Sequence, residues 1–357
     1  MTKANPRVLV GKAPPKSPWL AVNLSAALPG VGQMYDGAIA RGLAMAIAFW
    51  GLIAFVFWSI FAPRGNTLGG LLTLLPLLTL YVLNLWDSHH AAKQGVSLDE
   101  FSPLRYQSRD PWYPVFLSQV LPGLGHLFLQ KVALGGVLLI LGVITAYLAN
   151  FNPALLPLTS ILWAAGCGLA YRSAPAQQRQ WGLLAALLVA VMVTRFAVSS
   201  IPFVVYQQVV QCIVPSESML PTLQVRDRIF VRPRPADHPL TVGDIIVFSD
   251  PERTPAEQAG ELKNLMVKRV VALPGQRVEV RRGQVWLDGT PLVEPYLEEP
   301  IRYQWGPETI PPGHLFVLGD NRNNSRDSHV WGSLPGAHVV GNAYKIYWPP
   351  QRVQPLP

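Results

Sequence analysis

Charge is what this chain has least of. Only 14% of its 357 residues are Asp, Glu, Lys or Arg, against roughly 25% in an ordinary soluble domain, while 50% are hydrophobic. That balance excludes a chain bathed by water along its whole length. Cysteine is nearly missing as well. Cys167 lies in an apolar run and Cys212 just after the last one, which rules out a disulfide framework and a Cys-x-x-Cys metal or redox site. No histidine signature accompanies Cys212, so a buried thiol is the expectation for Cys167 and no nucleophile is expected at Cys212. Basic charge is present but one-sided. Residues 1–204 hold 13 Lys/Arg and 5 Asp/Glu, and residues 205–357 hold 16 of each, so the whole net charge of +8 sits in the apolar half. A nucleic-acid binder would concentrate its cations on a polar domain; no nucleic-acid partner is expected.

What is there instead is a series of long apolar runs. Crossing about 30 Å of hydrocarbon takes about 20 apolar residues in a helix. Five stretches qualify, at about Leu43–Ala62, Leu68–Trp86, Val132–Asn150, Ala154–Tyr171 and Trp181–Phe203. The first begins too late for a cleaved leader, and no A-x-A site follows it. Cations flank them unevenly. Lys3, Arg7, Lys12, Lys16 and Arg41 precede the first span, Lys93, Arg105, Arg109 and Lys131 separate the second from the third, and Arg172 and Arg179 separate the fourth from the fifth. The two other loops hold Arg64 alone. Positive loops face the cytoplasm, so a multi-pass plasma-membrane protein with a cytoplasmic N-terminus is expected, with everything after about residue 205 outside. Arg195, inside the fifth run, is expected to place its head at the interface. His89 and His90 lack the further ligands a metal would need.

The membrane half is duplicated. "LSAALPGVGQMYDGAIARG" (24–42) and "LSQVLPGLGHLFLQKVALG" (117–135) share Leu-Ser, Leu-Pro-Gly-x-Gly and a final Gly, 93 residues apart. Each copy precedes two spans. The Pro-Gly-x-Gly must interrupt a helix, so each unit reads as an entry segment, a break and a helical hairpin. The entry segments lie along the interface or dip into it. Close helix packing is the favoured role, and substrate handling the alternative.

After residue 205 the pattern changes to short β-branched runs punctuated by Gly, Pro and Asp, such as "GDIIVFSDP" (243–251), "LMVKRVVALPG" (265–275) and "VVGNAYKIYWP" (339–349). "VEVRRGQVWLDGTPL" carries Arg-Gly and Asp-Gly turns between alternating strands. The fold class is therefore an α-helical membrane domain of about five spans followed by a mainly antiparallel β domain. The expected divisions are a tail at 1–18, the membrane region at 19–204, the β domain at 205–349 and a mobile C-terminal tail at 350–357.

One stretch asks for chemistry. "VPSESMLPTL" (214–223) sets two serines beside the last apolar run. A serine hydroxyl needs an adjacent base before it can attack a carbonyl, and no Gly-x-Ser-x-Gly surrounds Ser218. A lysine serves if desolvation lowers its pKa. Lys268 stands alone among the lysines after residue 205 in an apolar strand-like run; Lys263 lies in a polar stretch and Lys345 near the end. On composition alone, an exposed strand lysine is the competing reading. The polar run "LGDNRNNSRDSHVWG" (318–332) is no calcium loop, because Arg322 takes the third position and no Gly the sixth.

Four motifs in order, Ser-x-Ser-Met-x-Pro-Thr-Leu (216–223), Gly-Asp-Ile-Ile-Val-Phe (243–248), Lys-Arg-Val-Val-Ala-Leu-Pro-Gly (268–275) and Gly-Asp-Asn-Arg-Asn-Asn-Ser-Arg-Asp-Ser (319–328), resemble bacterial type I signal peptidase over about residues 195–348. The resemblance implies a membrane-bound endopeptidase of mainly antiparallel β fold that removes signal peptides from exported preproteins, without metal or cofactor. By motif position it implies that Ser218 is the nucleophile and Lys268 its general base. Ser216 would support the oxyanion beside the Ser218 N–H, Ser325 would orient the lysine ammonium and Asp327 would brace that corner. Asp320 and Arg322 match the motif's scaffold. Val214 and Val267, with Met219, would line shallow substrate pockets that favour small residues. Its partners would be preprotein signal peptides and the lipid bilayer.

The chain departs from the family pattern in three places. Asn323 and His329 replace an acid and a base, which puts the usual ion pair with Asp327 in question. A protonated His329 restores it and ties activity to histidine titration. The duplicated five-span region replaces an anchor of one or two spans, and the stretch from Phe196 to Cys212 is longer than the usual link. Two other classes compete. Self-cleaving repressor-type peptidases use the same dyad on their own soluble chain, which five spans disfavour. A multi-span transport or binding protein with a decayed peptidase domain is the other, and intact Ser218, Lys268 and Ser325 argue against decay.

Overall fold

The computed structural model describes residues 16–93, 110–175, 179–233, 239–251 and 265–357. Lys3, Arg7, Lys12, Arg105, Arg109, His238 and Lys263, the side chain of Lys93, and most of the expected 1–18 tail lie outside the described residues. The chain divides into two compact units, one of Met1–Ala54 with Thr73–Phe203, the other of Phe55–Leu72 with Val204–Pro357.

The first unit is helical. Among the described residues five helices are long and apolar enough to cross a membrane: Ile39–Phe61, Thr67–Ala92, Val132–Ala149, Pro153–Ser173 and Trp181–Gln208. They coincide with the five expected spans to within a few residues. In chain order the elements are α1 (Pro18–Ala27), α2 (Val31–Tyr35), α3 (Ile39–Phe61), α4 (Thr67–Lys93), α5 (Trp112–Val120), α6 (Leu124–Phe128), α7 (Val132–Ala149), α8 (Leu156–Ser173) and α9 (Trp181–Gln208). The entry helices α1 and α5, at about 15 Å or less, are too short to span. Ser17 caps α1 by accepting from the Leu20 N–H, and its own hydroxyl donates to Asp110 at the foot of α5.

The repeat is a packing device at matching atoms. Both breaks turn on a glycine of positive φ, Gly30 at 92° and Gly123 at 96°. A Cβ on Gly30 would stand 2.1 Å from the Gly42 carbonyl oxygen, and one on Gly123 2.2 Å from that of Gly135. Gly32 meets the Ala21 oxygen at 2.1 Å by the same measure and Gly125 the Pro114 oxygen at 2.0 Å. Each pair recurs with the offset of 93, so α2 and α6 lie backbone to backbone against the helices before and after them. Buried amides and hydroxyls close the joints. Gln33 Nε2 donates to the Asn84 backbone and side-chain oxygens, Ser25 Oγ pairs with Ser88 Oγ at 2.7 Å, and Gln119 Nε2 donates to Asn23 Oδ1 at 2.7 Å.

Arg195, expected to place its head at the interface, finds partners on two neighbouring helices. Its guanidinium lies 4.7 Å from the Trp163 ring centroid and donates to the Gln119 carbonyl. The last-turn carbonyls of α5 lack intrahelical donors, and a planar cation stacks well on an indole. Both attractions hold the guanidinium beside α5 and α8, halfway along α9. Cys167 is buried and unpaired.

The second unit is antiparallel β. Its strands are β1 (Val210–Ile213), β2 (Arg228–Pro233), β3 (Ile245–Ser249), β4 (Leu265–Ala272), β5 (Arg277–Arg281), β6 (Gln284–Leu287), β7 (Thr290–Pro291), β8 (Trp305–Thr309), β9 (His314–Leu318), β10 (Leu334–Pro335), β11 (Val339–Trp348) and β12 (Gln354–Pro355). They form an eight-stranded sheet in the order β1-β2-β11-β3-β4-β9-β10, with β12 on β11, and a four-stranded sheet β7-β6-β5-β8. One core joins Met219, Leu223, Ile229, Ile245, Val247 and Ile346, and another joins the small sheet to the end of the large one through Val271, Phe316, Val278 and Val285. The link after Phe196 is no loop: α9 runs to Gln208 and β1 starts at Val210.

The C-terminal residues 350–357 are not a mobile tail. β12 pairs with β11, Leu356 packs on the core, and Arg352 forms an ion pair of 2.8 Å with the buried Asp227. Apolar contact and a desolvated charge pair together hold a segment whose proline content had suggested mobility.

Candidate active site

The site is assembled from three segments. Val214–Leu223 leaves β1 and is pinned where it departs and returns, by Val214 N–H to the Asp227 carbonyl and Arg226 N–H to the Val214 carbonyl, both 2.9 Å. β4 supplies the lysine. It is central in the large sheet, between β3 and β9, and is buried on both faces from Val267 onward. The polar loop after β9 supplies the rest. Gly319 begins it, and a Cβ there would stand 2.2 Å from Ser325 Oγ and 2.4 Å from the Ser218 carbonyl oxygen. Only glycine lets the loop come this close. Asn321 N–H then donates to that same Ser218 carbonyl at 3.1 Å, and Asn321 Nδ2 to the Glu217 carbonyl at 3.2 Å.

These contacts bring Lys268 Nζ to 2.6 Å from Ser218 Oγ, fifty residues away in sequence. Ser216 Oγ lies 3.3 Å from Ser218 Oγ. Lys268 is 5% exposed; the exposed-lysine reading fails because side chains on both faces of β4 are buried from Val267 onward. Burial pulls the Lys268 pKa below that of an ordinary lysine, and the carboxylates of Asp327 and Asp320 oppose the shift. A hydroxyl in this position can pass its proton to an amine once that amine is neutral, the form that desolvation favours.

Asp327 is fully buried and does three things. It accepts from Gly319 N–H at 2.8 Å, which ties the loop to the end of β9. It caps the short helix α10 (Ser328–Trp331). It also accepts from His329 Nδ1 at 2.6 Å. The ion pair that the departure at 329 put in question is therefore geometrically available to a histidine, and Tyr303 stacks on the imidazole at 4.2 Å. Ser325 differs from its expected part. Its buried Oγ has no hydrogen-bond partner among the described residues, Lys268 included, so the expected orienting contact is not made in this structure. Asp320 pairs with Arg269 through two hydrogen bonds of 2.8 and 2.7 Å and accepts from Thr222 Oγ1. Arg269 therefore faces away from the lysine, as strand alternation requires.

A cleft of about 400 Å³ opens on the two serines and the lysine. Val214, Met219 and Val267 line it and also belong to the buried core beneath. Leu265, Met266, Asn324 and Arg326 form part of the wall. Among the described residues no cluster of three or more His, Cys, Asp or Glu could hold a metal ion.

Sequence reasoning missed Glu294 and Tyr296. Glu294 takes both terminal nitrogens of Arg322, at 2.8 and 2.5 Å. Tyr296 donates to Glu294 and lies with its ring 3.9 Å from the Arg269 guanidinium. Both stand in a Pro- and Glu-rich stretch that reads as a solvated loop; the one available signal was that Arg269 and Arg322 need anions.

The β architecture with a serine, a desolvated lysine and an apolar cleft is that of a hydrolytic site. The signal peptidase family, peptidase S26, matches residues 180–348. Signal peptidase I of Leptolyngbya laminosa is 47% identical over 145 residues, covering 40% of this chain and 70% of the relative. The probable signal peptidase I-1 of Synechocystis is 49% identical over 140 residues, 39% of this chain and 71% of the relative. The probable thylakoidal processing peptidase 2 of Arabidopsis thaliana is 39% identical over 151 residues, 40% of this chain and 39% of the relative. The chain belongs to the type I signal peptidase family. The family match starts at residue 180, so both copies of the membrane repeat precede it.

Proposed function

We propose that this protein is a membrane-bound serine endopeptidase that removes N-terminal signal peptides from exported preproteins through a Ser218–Lys268 dyad. Removal of signal peptides follows from membership of the family; the dyad rests on the 2.6 Å approach of Lys268 Nζ to Ser218 Oγ in a desolvated cleft. The excess of Lys and Arg in alternate loops supports a cytoplasmic N-terminus and an extracytoplasmic β unit.

The end of the signal peptide lies extended along Val214–Ser218 and the edge of Leu265–Val267, adding backbone hydrogen bonds as a strand does. Val214, Val267 and Met219 leave shallow space for small side chains. Neutral Lys268 takes the Ser218 proton as Oγ attacks the scissile carbonyl. Ser216 Oγ and the Ser218 N–H stabilise the oxyanion. The resulting ammonium gives its proton to the leaving amine, the C–N bond breaks, and the signal peptide remains as an ester on Ser218. Water, deprotonated by Lys268, releases it as a carboxylate. Asp327, fixed by Gly319 and His329, holds the lysine corner. Tethering enzyme and preprotein in one bilayer raises their effective concentration.

The test is cleavage of a preprotein in detergent by the wild type, Ser218→Ala and Lys268→Ala. Turnover by the wild type and its loss in both variants is expected. Equal turnover in all three would remove the dyad.

A further inference from the structure

The second compact unit contains one segment that is distant in sequence. Phe55–Leu72, the end of α3, the turn and the start of α4, groups with Val204–Pro357. The contact is built around Lys345 of β11, which is fully buried, with no carboxylate beside it among the described residues. Its Nζ donates to three backbone carbonyls at the end of α3, those of Ser59 at 3.2 Å, Ile60 at 2.8 Å and Ala62 at 3.0 Å. The last carbonyls of a helix have no intrahelical donors and carry the negative end of its dipole. One ammonium thus satisfies three of them, and they in turn offset the desolvation of a buried charge.

The turn itself is shaped to present those carbonyls. Ser59 Oγ donates to the Asn66 carbonyl at 2.6 Å and Gly65 N–H to that of Ala62 at 3.0 Å. A Cβ on Gly65 would stand 2.4 Å from the Ser59 carbonyl oxygen. Beside Lys345, Phe61 meets Phe230 of β2 with ring centroids 5.6 Å apart, and Phe230 stacks on Tyr347 at 4.0 Å. An ammonium with its full set of acceptors and a three-ring stack form a joint, not an incidental touch. None of these residues belongs to the catalytic constellation, and Phe55–Leu72 lies outside the stretch matched by the family.

We infer that the end of the first spanning hairpin is a second membrane mooring for the peptidase unit. Lys345 locks it, and together with α9 it fixes the height and tilt at which the cleft meets a bilayer-held preprotein. A domain attached by α9 alone pivots about one point; attachment at α3 as well removes that freedom and raises the effective concentration of cleft and cleavage site in productive registry. The inference rests on the topology and substrate class proposed above. It predicts that breaking the joint harms cleavage of membrane-embedded preprotein and spares a soluble peptide.

The test uses the full chain in lipid nanodiscs, with Cys167 and Cys212 replaced by Ala. Phe61→Cys with Phe230→Cys is expected to cross-link within one chain by oxidation or a short bis-thiol reagent; no cross-link would overturn the joint. Lys345→Met is expected to speed amide exchange over residues 59–70, with Lys345→Arg intermediate, and unchanged exchange would contradict the lock. For Lys345→Met, kcat/KM on a membrane-embedded preprotein is expected to fall roughly tenfold, while a soluble signal-peptide-derived peptide changes less than about twofold. Equal losses on both substrates, or none on either, would overturn the mooring. An enzyme that cleaved neither substrate as wild type would refute the proposed function instead, and the cross-link and exchange would still report on the joint.

Discussion

In the membrane unit the tightest joints are made by missing side chains. Gly32 and Gly125 lie against the carbonyls of Ala21 and Pro114 where no Cβ fits, and the buried polar groups beside them are mostly amides and hydroxyls. In the peptidase unit close glycine contacts recur at Gly319 and Gly341, but its loops are also tied by charge pairs out of solvent, Arg269–Asp320 at 2.7 Å, Arg322–Glu294 at 2.5 Å and Arg352–Asp227 at 2.8 Å. The difference follows from the surroundings each unit folds in. Between helices in lipid, burial of apolar side chains gives little advantage, so close backbone approach and dispersion hold the unit together. In a water-facing β domain, apolar burial closes the core, and desolvated ion pairs fix the loops that carry the site.

The comparison can be broken most sharply at Lys268. Lys268→Met is expected to lower kcat by about 10⁴-fold or more and yet to raise the melting temperature. Burial holds the folded pKa below the unfolded one. The ammonium therefore weakens folding fully below the folded pKa, and the penalty fades as pH rises toward the unfolded value. Thermal melts at pH 6 and pH 10 check this; the gain should be larger at pH 6. Next, Ser216→Ala is expected to reduce kcat by about 10²–10³-fold with little change in KM, the size seen when one oxyanion donor is lost. In the membrane unit, Gly125→Ala is expected to destabilise by about 2 kcal/mol or more, read from melting in detergent, while the folded fraction keeps its activity on a soluble peptide.

The smallest effects belong to the corner around Asp327. Its carboxylate favours the charged lysine, so Asp327→Asn should move the acidic limb of the kcat/KM profile to lower pH; a move upward would contradict that sign. His329→Ala should lower kcat/KM more than His329→Arg, which keeps a cation beside Asp327; equal values in both variants would separate that pairing from the site.

Much of this was legible in the sequence because it depends on local pattern. Five apolar runs announced the long helices, alternation and turns announced the β half, and the 93-residue offset carried through to matched glycine contacts. What escaped depends on partners far apart in sequence. β1 was hidden because Val209 and Val210 extend an apolar run that begins in a helix. β12 and the Arg352–Asp227 pair were hidden because Gln354 and Pro355 look like tail, and only the sheet supplies them with an edge. Lys345 read as a strand lysine near the end of the chain, since nothing local shows that the carbonyls of residues 59–62 lie above it. In the site, the distance between Ser218 and Lys268 could be expected from motif order, but the orphaned Ser325 hydroxyl and the Glu294–Arg322 pair could not.

The claim on which the account turns is that Ser218 attacks the scissile carbonyl. Acid quenching of the enzyme during preprotein turnover, followed by digestion and mass spectrometry, reads it directly. A signal-peptide ester on Ser218, absent from Ser218→Ala, is expected. An ester on Ser216, or continued cleavage by Ser218→Ala, would contradict it.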